Sequence, residues 1–235
     1  MCRSSGLSGQ TAGERLAIGD IHGRDNWKKC LEEDFSQCFF VGDYFDSFNL
    51  SFRRQHRNFL NICEAARRDR RIYLCIGNHD YHYMAGVRNQ RYSGFQEEHY
   101  FHIQEILEKN MDLLRVLFVT EDRFIISHAG LSAAFMAKME KHGLPGSPAG
   151  IEGINEAFLK DRNILNFDGL DIFGDDITQG PLWIRPNSLL ADHVPGYSQI
   201  VGHTGFPAIQ EIPLEDEGTR IVFVDTGDAG LAYRF

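Results

Sequence analysis

Five short apolar segments of this sequence each end in a small residue that is followed at once by an acid, an amide or a histidine. The first three segments, Arg15–Gly19, Cys38–Gly42 and Arg71–Ile76, have the length of buried strands. The five strand-end motifs are Gly19-Asp20-Ile21-His22-Gly23, Gly42-Asp43-Tyr44-Phe45-Asp46, Gly77-Asn78-His79-Asp80, Ser127-His128-Ala129-Gly130 and Gly202-His203-Thr204-Gly205. This repeated pattern predicts a sheet whose strands end together at one polar edge.

Helical patterns separate the first three strands. Phe52–Arg70 places apolar residues on one face at helical spacing, and Asn26–Asp34 predicts a shorter helix. This alternation indicates right-handed crossovers and a parallel sheet. Further predicted elements are a hairpin of Leu113–Thr120 with Phe124–Ser127, helices over Phe95–Lys109, Ala133–His142 and Ile154–Asp161, and strands over Gln199–Gly202, Gln210–Pro213, Arg220–Asp225 and Leu231–Arg234. We therefore predict an α/β fold with a helical insertion between its two halves.

The net charge and the cysteine content indicate which partners and which cellular compartment to expect. With 24 lysines and arginines against 33 acids, the formal net charge is −9. We expect no binding to nucleic-acid backbone, which needs clustered cations. No apolar run approaches the ~18–20 residues that span a bilayer, so we expect no membrane partner. Five cysteines without close pairing favour reduced thiols in the cytoplasm. We also expect a flexible tail over residues 1–14, without a signal peptide, and one domain over residues 15–235.

The polar side chains after the strands predict a metal centre. Because the carboxyl ends of parallel strands meet at one edge, five loops would bring their polar residues together. Mixed oxygen and nitrogen ligands without a thiolate suit Mn²⁺, Fe or Zn²⁺. The polar residues of the five loops are more than one ion needs. Two ions that share a carboxylate lie ~3.5–4 Å apart in enzymes that hydrolyse phosphate esters. The candidate ligands are Asp20, His22, Asp43, Asn78, His128 and His203. Each motif alone could instead be a turn, and a single histidine at a strand end a structural residue.

The five motifs, in the order in which they occur along the chain, resemble those of the calcineurin-like metallophosphoesterases. The resemblance runs from about Leu16 to the C-terminus and includes Phe223-Val224-Asp225-Thr226-Gly227. It implies a four-layer α/β/β/α sandwich with two divalent metal ions, Mn²⁺ as the expected ion and Fe or Zn²⁺ as alternatives. It also implies that Asp20, His22 and a bridging Asp43 hold one ion, and that Asp43, Asn78, His128 and His203 hold the other.

Within this superfamily the chain is similar to the serine/threonine phosphoprotein phosphatases of compact bacterial and phage type. The last motif has Gly205 where many other members have a second metal-binding histidine. The resemblance implies attack on phosphorus by a hydroxide that bridges the two ions. It also implies that His79 is the general acid that protonates the leaving oxygen, and that Asp46 orients His79. The alternative for Asp46 is a simple acid in a turn.

Two phosphate-binding arginines of these phosphatases are missing, because Ser47 and Phe48 follow Asp46 and Ile76 precedes Gly77. One candidate remains. Arg185 lies in Leu182-Trp183-Ile184-Arg185, which looks like the segment that delivers a phosphate-binding arginine in the compact phosphatases. A guanidinium can bind two phosphate oxygens at once. The alternative is that Arg185 only pairs with nearby acids.

The sequence thus predicts an enzyme: a metal-dependent phosphomonoesterase of serine/threonine protein phosphatase type, acting on a phosphoprotein or a small phosphoester. A second hypothesis is a hydrolase of dinucleoside polyphosphates, because the missing arginines weaken the assignment to protein phosphatases but leave the metal ligands intact. A third is a metal-binding scaffold without activity, since one fold can serve many functions. The retention of His79 beside a complete ligand set argues against the scaffold.

Overall fold

The first half of the chain builds a mostly parallel sheet with helical crossovers. The computed structural model describes residues 13–87, 91–144, 149–166, 175–216 and 218–235; apart from Gly13 and Glu14, the predicted tail lies outside them. The first sheet contains β1 (Arg15–Ile18), β2 (Gln37–Phe40), β3 (Ile72–Cys75), β4 (Leu114–Arg115) and β10 (Ala232–Arg234). Its order is β10-β1-β2-β3-β4, and only β10 runs antiparallel to its neighbour. The predicted parallel core of the sheet is confirmed.

The helices between these strands differ in length from each other and, in one case, from expectation. The helix α2 (Phe52–Arg68) follows its prediction closely and buries Phe59 and Ile62 on one face. The helix α1 spans only Trp27–Cys30, whereas the prediction ran to Asp34. Trp27 is its single buried residue, so no apolar stripe anchors a longer helix to the sheet.

The second half builds another sheet of five strands. It contains β5 (Leu117–Val119), β6 (Phe124–Ser127), β7 (Ser198–Val201), β8 (Gln210–Pro213) and β9 (Arg220–Phe223). The order is β5-β6-β7-β9-β8, with β6, β7 and β9 parallel and the two edge strands antiparallel. The predicted hairpin is therefore the pair β5 and β6.

The single strand predicted over Leu113–Thr120 is wrong, because the chain changes sheets within it. β4 pairs with the first sheet and β5 with the second, and Val116 lies between them. There Asn155 stands in for a strand partner: its side-chain oxygen accepts from the backbone N–H of Val116 at 2.8 Å, and its amide donates to the carbonyl of Leu117 at 2.9 Å. A distant side chain therefore satisfies the backbone at the crossing.

The two sheets pack face to face. Successive residues of a strand point to opposite sides of a sheet, and alternate residues of both sheets share one buried cluster. Burial of this apolar surface stabilises the sandwich. The residues of the cluster are Ala17, Phe39, Val41, Cys75, Phe124, Ile126, Ile200, Val222 and Val224.

Helices cover the outer faces of both sheets. On the first sheet Phe40 joins the cluster that includes Phe59 of α2. On the second, Phe223 joins the cluster that includes Leu189, which belongs to α7 (Pro186–Ala191). The predicted α/β/β/α sandwich is confirmed.

The remaining helices are α3 (Asn78–Tyr81), α4 (Tyr100–Lys109), α5 (Ala133–Lys141) and α6 (Ala149–Lys160). The helices α5, α6 and α7 lie between β6 and β7 along the chain. Helices were predicted for α5 and for the second half of α6, but not for α7. Within the part of the chain that the structure describes, no helix is both long and apolar enough to cross a bilayer.

Candidate metal centre

The ends of five strands bring six predicted ligands to one buried place. Asp20 and His22 follow β1, and Asp43 follows β2. Asn78 opens α3 directly after β3, while His128 and His203 follow β6 and β7 of the other sheet. The site therefore lies where the polar ends of both sheets meet.

Asp43 lies between two histidines. Its Oδ2 atom is 3.5 Å from Nε2 of His22 and 3.4 Å from Nε2 of His128. The other oxygen, Oδ1, accepts from the backbone N–H of His79 at 2.9 Å. Asp20 approaches the same group, with its Oδ2 at 4.0 Å from Nε2 of His22. One oxygen of Asp43 therefore faces histidines from both sheets of the sandwich.

Asn78 joins the histidines from the second sheet. Its Oδ1 atom is 2.7 Å from Nε2 of His128 and 3.0 Å from Nδ1 of His203. The backbone N–H of His203 donates to Oδ1 of Asp20 at 3.1 Å. All six predicted ligands therefore form one connected cluster.

The hydrogen bonds of the three histidine rings suit the cluster to cations. Each ring uses one nitrogen to donate to a backbone carbonyl: His22 to Phe45 at 2.6 Å, His128 to Val41 at 3.0 Å, and His203 to Trp183 at 3.2 Å. The other nitrogen of each ring then carries a lone pair. These lone pairs face oxygens of Asp43 or Asn78, an arrangement that bound cations would stabilise.

Burial and like charge act on the same groups. Burial lowers the pKa of His22 to about 4 and the pKa values of His128 and His203 well below their usual range, so these rings are neutral at pH 7. Burial, and then the charge of Asp225, raises the pKa of Asp20. Burial, and then the charge of Asp80, raises the pKa of Asp43. Divalent cations would offset this repulsion between buried acids.

The backbone at the site is strained. Among the described residues, five other than glycine have a positive φ, and four of these are His22 (41°), Asp43 (55°), Asp46 (62°) and His203 (62°). Such conformations persist where the surroundings enforce them, and they cluster at functional sites. A Cβ atom on Gly77 would lie 2.0 Å from Oδ1 of Asp43, so glycine is needed here for the carboxylate to enter.

His79 and Asp46 form a pair beside the cluster. Nδ1 of His79 lies 2.9 Å from Oδ2 of Asp46, and the ring of His79 contacts the ring of His22 edge to face with centroids 5.2 Å apart. Burial by itself would raise the pKa of Asp46, but the hydrogen bond from His79 and the close approach of the His82 ring outweigh it and lower the pKa to about 2. Asp46 is therefore an ionised, fully buried acceptor for His79.

Arg185 lies at the edge of the cluster. Its Nη1 atom donates to the carbonyl of His203 at 3.3 Å and to the hydroxyl of Thr204 at 3.2 Å. The guanidinium is half-buried, and this burial lowers its pKa from the usual value. These bonds hold the cation next to a predicted metal ligand, while its other nitrogen atoms can bind an anion.

Asp80 was not among the predicted site residues, although it organises the site. Its carboxylate accepts from the backbone N–H groups of Asp43 (2.8 Å), Tyr44 (2.8 Å) and Gly77 (2.9 Å). Burial raises its pKa to about 7. The signal was present in the sequence, because an acid three residues after Gly77 at the start of a helix is placed to accept backbone N–H groups.

The sequence profile of the calcineurin-like phosphoesterases matches residues 15–224, which is most of the chain. The chain belongs to the calcineurin-like phosphoesterase family. The family resemblance is confirmed, and so is the prediction of an enzyme, a metal-dependent hydrolase of phosphoric ester bonds. In the phosphoesterase, Asp20, Asp43 and His128 offer ligand atoms within 4.8 Å of one another, which fits the divalent metals that this family uses.

Two solved structures illustrate the fold of the phosphoesterase. A cold-active protein-tyrosine phosphatase of a psychrophilic Shewanella species superposes with a TM-score of 0.58 at 15% identity, over 92% of this chain and 72% of that one. A Saccharomyces cerevisiae protein serine/threonine phosphatase with similarity to human phosphatase PP5 gives 0.51 at 14% identity, over 92% and 68%. These likenesses show a shared fold. A sequence comparison with curated proteins returned no significant match.

Proposed function

We propose that the chain is a dinuclear-metal phosphomonoesterase of serine/threonine protein phosphatase type. The observation that carries this proposal is the connected, largely buried cluster of six candidate ligands with oxygen or nitrogen donors, with the His79–Asp46 pair directly beside it. A domain over residues 15–235 in a cytoplasmic setting is part of the same proposal, the setting resting on the unpaired cysteines of the sequence.

The ligands divide into two sets that share Asp43. Asp20, His22 and Asp43 would hold one ion, and Asp43, Asn78, His128 and His203 the other. The position of Asp43 supports this division, because one carboxylate oxygen faces both His22 and His128. Mn²⁺ is the expected ion, with Fe or Zn²⁺ as alternatives, since the donors are carboxylate, amide and imidazole. When bound, such ions lower the pKa of coordinated water to near neutrality and neutralise charge on the phosphoryl group.

Two side chains next to the proposed ligands, those of His79 and Arg185, would take part in the reaction. Because Nδ1 of His79 faces Asp46, Nε2 is the nitrogen that would donate a proton to the leaving oxygen. The ring of His79 is 18% exposed, so a substrate can reach it. Arg185 would bind the equatorial phosphoryl oxygens, where charge accumulates during transfer.

The role of His79 is tested by leaving-group dependence. General acid catalysis contributes typically 10²–10⁴-fold and matters most when the leaving alkoxide is a strong base. We expect His79→Asn to reduce kcat by about that factor for an alkyl phosphate and to leave an activated aryl phosphate largely unaffected. Steady-state kinetics on both substrates with Mn²⁺ measure this. Equal losses on the two would mean that His79 only positions the substrate.

The substrate class is tested by a kinetic panel. One structural neighbour is named a tyrosine phosphatase and the other a serine/threonine phosphatase, so the panel contains peptides with each kind of phosphoresidue. An aryl phosphate, a phosphodiester and a dinucleoside polyphosphate complete it. We expect monoesters to be preferred over the diester, with phosphoserine or phosphothreonine over phosphotyrosine. A strong preference for the dinucleoside polyphosphate would favour the second hypothesis, and no turnover of any substrate the third.

A further inference from the structure

Three side chains besides His79 contact the carboxylate of Asp46. Oη of Tyr83 donates to Oδ1 at 2.5 Å, and Nε2 of Gln96 donates to the same oxygen at 3.1 Å. Nε2 of His82 lies 2.7 Å from Oδ2. We propose that Tyr83 and His82 are positioning residues that hold the Asp46 carboxylate in place, so that Oδ2 faces Nδ1 of His79. This inference rests on the proposed role of His79 as general acid.

The positions of these residues follow from helical spacing. Residues three and four apart lie on the same side of a helical turn, and His79, His82 and Tyr83 have this spacing. The turn that begins with α3 continues far enough, because the N–H of Tyr83 donates to the carbonyl of Asp80 at 3.1 Å. One face of a single turn therefore presents all three side chains to Asp46, which comes from the loop after β2.

The contacts divide between the two carboxylate oxygens. Tyr83 and Gln96 occupy Oδ1, while His79 and His82 approach Oδ2. Rotation of the carboxylate would break contacts at both oxygens in a buried site, where lost hydrogen bonds are costly. Asp46 also has a left-handed backbone with φ of 62°, a conformation that needs support from its surroundings.

Tyr83 makes the better-defined contact. Its hydroxyl donates to Asp46 and accepts from the backbone N–H of Gln96 at 2.7 Å, so its direction is fixed at both ends. The Tyr83→Phe change would remove one donor from Asp46 and leave that N–H without its acceptor. It alters no other part of the side chain, and the ring can keep its stacking on Phe95.

His82 acts on Asp46 mainly through its position and the partial charges of its ring. Its side chain is fully buried, and its ring stacks on Tyr92 and meets Phe95 edge to face. The contact with Oδ2 is short, but neither ring nitrogen makes a well-aligned hydrogen bond. His82→Gln keeps a donor near Oδ2, whereas His82→Leu keeps comparable bulk and removes the polar atoms.

Kinetics with two substrates separate positioning from structural damage. For an alkyl phosphate we expect Tyr83→Phe and His82→Leu to lower kcat by roughly 10–100-fold, the usual cost of losing a group that orients a reactive one. KM and metal content should stay unchanged, and an activated aryl phosphate should lose much less. His82→Gln should recover part of the loss. Phe95→Leu is the matched control, because Phe95 packs on both rings without a polar atom.

Nuclear magnetic resonance of the imidazole protons tests the inference without turnover. In the metal-loaded protein, the His79 Nδ1 proton in its bond to Asp46 should give a protected downfield signal that His79→Asn removes. Tyr83→Phe should broaden or shift this signal, while Phe95→Leu should not. An unchanged signal and unchanged kinetics in Tyr83→Phe and His82→Leu would overturn the inference. If the signal responds but His79→Asn spares the alkyl phosphate, the contacts stand and the proposed general acid is wrong.

Discussion

Arg185 is the residue on which substrate binding depends most in this account. Since two other arginines of the phosphatases that the chain resembles are replaced here, the proposed phosphate contact rests on the guanidinium of Arg185 beside His203. We expect Arg185→Ala to reduce kcat/KM for a phosphomonoester by roughly 10–10³-fold, which corresponds to ~1.4–4 kcal/mol of lost transition-state stabilisation. Steady-state kinetics at saturating Mn²⁺ measure the loss.

Two further results are expected if the guanidinium of Arg185 binds phosphate. Arg185→Lys should recover only part of the activity, because an ammonium cannot bind two oxygens as a planar guanidinium does. Metal content should match the wild type in both variants, since arginine is not a ligand. Wild-type kinetics in Arg185→Ala would show that the sequence match around Trp183 is accidental.

The sequence could propose the six candidate ligands because each follows an apolar strand, and the structure brings the six side chains together. Asp80 and Tyr83 were not assigned to the site, because neither residue stands out in the sequence. An acid in the first turn of a helix and a tyrosine one turn later suit an ordinary helix start equally well. Their partners, Asp43 and Asp46, lie more than thirty residues away in sequence, and only the fold brings them into contact.

At the scale of elements, an ion pair joins the two sheets at the end opposite the metal centre. Arg15 opens β1, and Asp122 lies in the turn between β5 and β6, with Nη1 of Arg15 at 2.6 Å from Oδ1 of Asp122. The hydrogen bond from Arg15 lowers the pKa of Asp122 to about 2. Because the pKa of Asp122 is lower in the folded protein than in the unfolded chain, the ionised carboxylate stabilises the fold fully above the ordinary pKa of aspartate. This stabilisation is lost as the pH falls toward the folded-state pKa.

We therefore expect Asp122→Asn to reduce the free energy of unfolding at pH 7 by less than ~1 kcal/mol, because the carboxylate is half-exposed. The difference between variant and wild type should shrink at pH 3 and also in high salt. Urea unfolding at both pH values, with and without added salt, measures it. A difference that grows on acidification would contradict the assignment.

The elements that sequence patterns missed are those where a distant group overrides a local preference. Leu113–Thr120 is a continuous β-forming run, yet it divides between two sheets because Asn155 satisfies the backbone at Val116. The short α1 is the exception, because its length follows from how little apolar surface comes after Trp27. The division of Leu113–Thr120 depends on a tertiary contact that local periodicity does not encode.

At the scale of the whole molecule, the sandwich itself assembles the metal centre. Asp20, Asp43 and Asn78 come from the first sheet, and His128 and His203 from the second. The apolar cluster between the sheets therefore fixes the distance between the two sets of ligands. Because a ligand that binds only the folded state stabilises it, Mn²⁺ should raise the melting temperature, and a chelator should lower it.

We propose that Asp43 bridges two ions in a working hydrolase, and metal content measured together with activity tests this role. Wild-type protein loaded with Mn²⁺ should hold about two ions per chain. Asp43→Asn should lose bound metal and turnover while its circular dichroism stays native. Asp112→Asn, a change in an exposed acid that pairs with Arg67 away from the site, should match the wild type. Full metal content and full activity in Asp43→Asn would contradict the claim.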